Sequence, residues 1–81
     1  MAAVRLVTLY SRRRCGLCDE ARETIESVRA RLPFELEEVF IDGDDELESA
    51  YGLRVPVVLL DGEEAFETVV DPRVLKESLS D

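Results

Sequence analysis

Apolar residues follow two alternating patterns along this chain: short, nearly continuous runs, and stretches in which they return every three or four residues. Val4, Leu6, Val7, Leu9 and Tyr10 form the first run and predict a buried strand over 4–10. Ser11-Arg12-Arg13-Arg14 then breaks it with a polar loop. From Gly16 to Arg31 the apolar positions are Leu17, Ala21, Ile25 and Val28, with Leu32 just beyond, and this spacing places them on one helical face. Glu20, Arg22, Glu23, Glu26 and Arg29 fall largely on the other faces. Pro33 closes the predicted helix, because the residue before a proline is pushed out of the α region.

Leu36, Val39 and Ile41 predict a second strand over 35–41, although the alternation slips at Glu37-Glu38. Asp42-Gly43-Asp44 reads as a turn that also caps a helix. Residues 45–51 form that helix, carrying Leu47, Ala50 and Tyr51, and Gly52 stops it. Val57 to Leu60 is an apolar run of strand length. Asp61-Gly62 is a hairpin signal, since both central residues of that turn need positive φ, and the return strand covers 63–69. Asp71 as N-cap and Pro72 at the first helical position open a last helix with Val74, Leu75 and Leu79 on its apolar face. The predicted order is β-α-β-α-β-β-α. Strands joined through a helix run parallel with a right-handed crossover, and the hairpin is antiparallel. The expected fold class is therefore α/β, a four-stranded mixed sheet flanked by helices, in one domain over residues 1–81.

Composition changes this picture little. A chain of 81 residues sits at the lower edge of what one core sustains. An apolar fraction of 46% and a mean hydropathy of -0.09 are globular values. Apolar runs such as Val55–Leu60 fall far short of the ~18 residues that cross a bilayer. Met1-Ala2-Ala3-Val4-Arg5 lacks the basic start and long apolar stretch of a secretory signal. These features predict a soluble cytoplasmic monomer with no membrane partner.

Charge and histidine exclude more. A net charge of -9 argues against a nucleic-acid partner, which requires clustered cations. The charge is uneven: residues 1–33 hold seven Arg against four acids, and residues 34–81 hold three cations against fifteen. The acidic half reads as a solvated, solubilising surface. With no His, neither Ser-His-Asp nor Cys-His chemistry nor a His-ligated metal is available.

Two cysteines remain, in Cys15-Gly16-Leu17-Cys18, after a strand and loop and at the start of a helix. Free N–H groups and the positive dipole end at a helix N-terminus stabilise a thiolate, the form that attacks disulfides. Cys15 stands at the exposed end of the turn and reads as the nucleophile. Cys18, one turn in beside the apolar face, reads as the resolving thiol. Arg12, Arg13 and Arg14 favour a Cys15 thiolate; Asp19 and Glu20 oppose it. Three duller assignments compete. A structural disulfide would close too small a loop to gain much chain entropy. Zinc would need ligands that two Cys and no His do not supply, so no metal is assigned. Two ordinary buried thiols remain compatible with composition.

On these residues the chain resembles the thioredoxin superfamily, and more closely its glutaredoxin-like members. Leu9-Tyr10-Ser11-Arg12-Arg13-Arg14-Cys15-Gly16-Leu17-Cys18 is similar to the glutaredoxin strand end and active-site loop. Val55-Pro56-Val57-Val58-Leu59 resembles the Val-Pro pair that opens the third strand, and Asp61-Gly62 matches the hairpin position. The resemblance implies a thioredoxin-like fold and a disulfide oxidoreductase working by dithiol exchange. It also implies a cis Pro56 facing the cysteines and a Val55 backbone presented to substrate. Arg54 would lie on the rim beside Arg14, where both attract anionic substrate groups such as glutathione carboxylates. The implied partners are a disulfide-containing protein or a glutathione mixed disulfide, with no tightly bound cofactor and glutathione as co-substrate. Two other functions are carried beside this one: an iron–sulfur cluster carrier using Cys15, and a redox-inert interaction domain. The sequence departs from the family at several points: no Trp precedes Cys15, the first strand lacks a carboxylate, and Val70-Asp71-Pro72 replaces a Gly-Gly-acidic segment.

Overall fold

A computed structural model describes residues 5–80. Val4, the first residue of the predicted opening strand, lies outside the described residues. The elements are β1 (Leu6–Ser11), α1 (Gly16–Arg29), β2 (Glu35–Phe40), α2 (Asp45–Tyr51), β3 (Val57–Leu60), β4 (Glu63–Glu67) and α3 (Pro72–Ser80). They form one four-stranded mixed sheet in the order β2-β1-β3-β4. β1 runs parallel to β2 and antiparallel to β3, and β3 pairs antiparallel with β4.

Alternation along β1 divides the two faces of the sheet. Val7 and Leu9 are fully buried and lie against α1 and α3, where Ala21, Ile25, Val28 and Leu75 complete the core with Val58. Each fully buried aliphatic side chain contributes about 1.5–3 kcal/mol. Thr8, Tyr10 and Val57 belong to the opposite face. There the Tyr10 ring stacks on Tyr51 of α2, with centroids 4.4 Å apart and planes 16° apart.

Local chemistry sets the boundaries, and several differ from those predicted. α1 stops at Arg29, before Pro33 acts: the Arg31 and Leu32 N–H groups both turn back to the Val28 carbonyl at 2.9 Å. β2 ends at Phe40, one residue early. β4 ends at Glu67 because Thr68 takes φ 70, and its N–H donates to the Pro56 carbonyl at 2.8 Å. The hairpin turn has Asp61 at φ 51 and Gly62 at φ 89, the geometry its sequence predicts. Asp44 caps α2, its carboxylate accepting the Leu47 N–H at 3.0 Å. At Gly52 a Cβ would fall 2.4 Å from the Glu48 carbonyl oxygen, so a larger residue would force the chain apart. Among the described residues no helix is long and apolar enough to cross a membrane.

Candidate functional site

The C-terminal end of β1 and the N-terminal end of β3 meet at one edge of the sheet, because the two strands are antiparallel. Tyr10 pairs with Val57, so one register step further places Ser11 opposite Pro56. The loop 12–14 leaves β1 at this edge and delivers Cys15 to the N-cap of α1. Cys15 is extended (φ -119, ψ 111), which turns its side chain back over the first helical turn. Its Sγ accepts the Cys18 N–H at 3.2 Å, and its carbonyl accepts the Asp19 N–H at 3.0 Å. A sulfur thus occupies the position where an Asp or Ser oxygen ordinarily caps a helix.

The two thiols are free and unequal. Cys15 is partly exposed and Cys18 is fully buried. Burial pushes the Cys18 thiol up to about 11, and its hydrogen bond to Cys15 adds to the effect. The Arg12 backbone N–H opposes the rise, while the charges of Cys15 and Asp19 reinforce it. Cys15 therefore meets solvent first, and Cys18 keeps its proton at neutral pH.

The three consecutive arginines have different partners. Arg12 pairs with Glu48 at 2.7 Å and reaches the Gly52 carbonyl at 3.4 Å, tying the loop to α2. Arg13 lies 5.0 Å over the Phe40 ring, and its N–H donates to Asp42 at 3.0 Å. Arg14 is exposed, makes no ion pair among the described residues, and takes φ 56 immediately before Cys15.

Of the other predicted residues, Pro56 is fully buried and the Val55–Pro56 peptide bond is cis. The Val55 N–H is not presented outward: it donates to the Tyr51 carbonyl at 3.1 Å as the chain leaves α2, so the carbonyl is the group Val55 has to offer. Arg54 is not a free rim cation beside Arg14. Its guanidinium pairs with Glu64 at 2.8 Å and Glu67 at 3.2 Å and donates to the Ala50 carbonyl at 3.0 Å. It also lies 5.4 Å over the Tyr51 ring. Two β4 acids, chosen by the register of the hairpin, hold it there.

Sequence reasoning passed over a polar cluster behind Cys18. Glu38 points to the same face as Leu9 and is partly buried under α1. Its carboxylate accepts Arg22 Nε at 2.8 Å and the Ser11 hydroxyl at 2.8 Å, and a second Arg22 nitrogen completes a bidentate pair. Arg22 also holds Asp19 at 2.9 Å. The Arg22 hydrogen bonds draw the Glu38 carboxyl below its ordinary value, burial opposes the shift and Ser11 supports it. The slip in alternation at Glu37-Glu38 was its signal: an acid stands where an apolar residue would continue the strand. Leu17, which its spacing places on the apolar face of α1, is instead 46% exposed, and with the exposed Val69, which sequence reasoning passed over, it lines one pocket beside the cysteine loop. At the start of α3 the Asp71 carboxylate accepts the Arg73 and Val74 N–H groups at 2.9 and 3.4 Å. That helix end presents a carboxylate, not open donors. Among the described residues no group of three or more His, Cys, Asp or Glu side chains is arranged to hold a metal ion.

Comparison with known proteins adds to this geometry. The model of the Glutaredoxin-like domain (DUF836) family matches residues 6–81. The crystal structure of a structural-genomics target protein from X. campestris is 43% identical, covers 91% of this chain and 95% of its own, and superimposes with a TM-score of 0.78. The solution structure of a protein from Nitrosomonas europaea is 30% identical over 98% of this chain and 95% of its own, with a TM-score of 0.84. A mutant thioredoxin from Halobacterium salinarum is 27% identical over 94% of this chain and 72% of its own, with a TM-score of 0.68. The fold is thioredoxin-like.

Proposed function

Because the chain belongs to the glutaredoxin-like domain family, we propose that it is a thiol–disulfide oxidoreductase working through Cys15 and Cys18. The observation that carries the reading is the asymmetry of the pair: a partly exposed sulfur capping a helix, 3.2 Å from the N–H of a buried cysteine. Solvent reaches Cys15 and not Cys18, so Cys15 is the sulfur that an incoming disulfide meets, and the thiolate is the attacking species.

The Cys15 thiolate attacks one sulfur of a target disulfide, and the other target sulfur leaves as a thiolate that takes up a proton. Cys18 then gives up its proton and attacks Cys15 Sγ, releasing the second target thiol and closing the Cys15–Cys18 disulfide. Two electrons pass from the cysteine pair to the target. A thiol reductant such as glutathione, or a dithiol protein, restores the pair. Two of the influences that raise the Cys18 thiol, its hydrogen bond to Cys15 and the Cys15 charge, end once Cys15 is bound in the mixed disulfide. Cys18 becomes easier to deprotonate at the step that needs it.

In this reading Pro56 and the Val55 carbonyl border the site where the target chain lies, and Arg14 is the cation nearest Cys15 in sequence. Arg54 acts through structure, holding the turn before Val55 against β4. Trapping tests the scheme: a Cys18→Ser protein mixed with a labelled disulfide accumulates one adduct on Cys15. Accumulation on Cys18 in the Cys15→Ser protein, at an equal rate, would contradict it.

A further inference from the structure

Two pockets lie end to end along one side of α1. The first, about 110 Å³, is bounded by Leu17, Glu20, Ala21 and Thr24 and by the segment Thr68–Val70. The second, about 310 Å³, is bounded by Ser27, Val28 and Arg31 and, across from them, by Pro72, Arg73 and Lys76. Leu17, Ala21, Thr24, Val28 and Arg31 follow at steps of three or four residues and so form one stripe of the helix and its exit turn. The opposite wall is also continuous, since α3 begins two residues after Val70. Together the pockets make a trough roughly 20 Å long, at 1.5 Å per helical residue. It begins beside the cysteine loop and runs toward the far end of α1.

The two ends differ in chemistry. At the near end Leu17 is 46% and Val69 66% exposed, an apolar pair flanking the cysteines. At the far end Arg31, Arg73 and Lys76 converge, and no acid lines the pocket. None of the three makes an ion pair among the described residues, whereas Arg5, Arg12, Arg22, Arg29 and Arg54 all do. The chain carries nineteen acids against ten cations, so a pocket lined by three cations and no acid stands against the general charge. Like charges brought together repel, and among the described residues no ion pair offsets these three.

We propose that this trough is a docking track for an extended segment of a protein disulfide substrate. An apolar side chain next to the target cysteine rests between Leu17 and Val69. Acidic side chains further along meet Arg31, Arg73 and Lys76. An extended chain advances about 3.3–3.6 Å per residue, so the acids stand about six residues from the cysteine. Glu20 repels an acidic side chain at the near end while the three cations attract it at the far end, which fixes the segment's direction along the trough. The inference rests on the thiol–disulfide reading and names the substrate class of that site.

Amide NMR titration of the full chain tests it with unreactive peptides, in which Ser replaces the target cysteine. One peptide carries a Leu beside that Ser and three Glu centred six residues away on either side; the second has Lys in place of Glu. The Glu peptide is expected to shift the Arg31, Arg73 and Lys76 amides and to bind about five- to tenfold more tightly, three exposed ion pairs each giving a factor of about two. That preference collapses toward unity in R31A/R73A/K76A and at high salt, where exposed pairs are screened. Equal affinity for the two peptides, or shifts that leave these three residues unmoved, would overturn the track. Reduction of a small disulfide is measured in parallel. Its absence sinks the oxidoreductase reading, while activity without charge preference sinks the docking track alone.

Discussion

Arg22 of α1 grips both carboxylate oxygens of Glu38 of β2, across the interface that carries the buried Cys18. The pair is partly sheltered, with side chains 33% and 21% exposed, and it also satisfies the fully buried Ser11. It fastens the first turns of α1 to the two strands beneath them, which holds the cysteine loop at the sheet edge. Removing Glu38 leaves the Ser11 hydroxyl without its acceptor, and removing Arg22 leaves the sheltered Glu38 carboxylate without its cation.

Glu38→Ala or Arg22→Ala is accordingly expected to destabilise the fold by about 1–2 kcal/mol, a value kept low because solvent reaches both side chains. Chemical denaturation of each variant measures this. An unchanged midpoint would show that the pair adds nothing.

The same pair fixes a pH dependence. The folded Glu38 carboxyl lies below its ordinary value of 4.5. Its contribution is therefore fully present above pH 4.5 and is lost as pH falls through the lower folded value. Denaturation between neutral pH and pH 3 should show stability falling in the acid range, with a shallower fall in Glu38→Gln. Equal slopes would remove Glu38 from the account.

Thr68 supplies a third prediction. A β-branched residue at φ 70 is strained, and its side chain is exposed. Thr68→Gly is expected to relieve about 1 kcal/mol, raising Tm by several degrees in a domain of this size. A lowered Tm would show that the Thr side chain contributes more than its backbone costs.

Much of this was legible in the sequence. The helical stripe Ala21, Ile25 and Val28 marked the core face of α1, although Leu17 at its head is exposed, and Asp61-Gly62 marked the hairpin, because each signal is local. The cysteine pair at a strand–loop–helix junction marked the site for the same reason. Long-range partners were not legible. Arg54 looked like a rim cation until the register of β4 brought Glu64 and Glu67 to it. Glu38 looked like a fault in a strand until α1 placed Arg22 above it. The trough between α1 and α3 joins residues roughly forty to fifty positions apart, which no periodicity can reveal.

Burial separates the two thiols by reagent. Cys15 is expected to alkylate readily at neutral pH. Cys18 is expected to react only after unfolding, or as the pH approaches the raised value near 11. Peptide mapping after timed alkylation reads both rates, and equal labelling of the two at pH 7 would contradict the assigned roles.

The central claim is disulfide exchange through Cys15. Its most direct test is the reduction of a low-molecular-weight disulfide, including a glutathione mixed disulfide, by the wild-type chain and by Cys15→Ser with a thiol reductant present. The account predicts steady turnover by the wild type and loss of at least about a hundredfold in Cys15→Ser, as expected when a covalent nucleophile is removed. Turnover that persists in Cys15→Ser, or a wild-type chain no faster than the reductant alone, would contradict it.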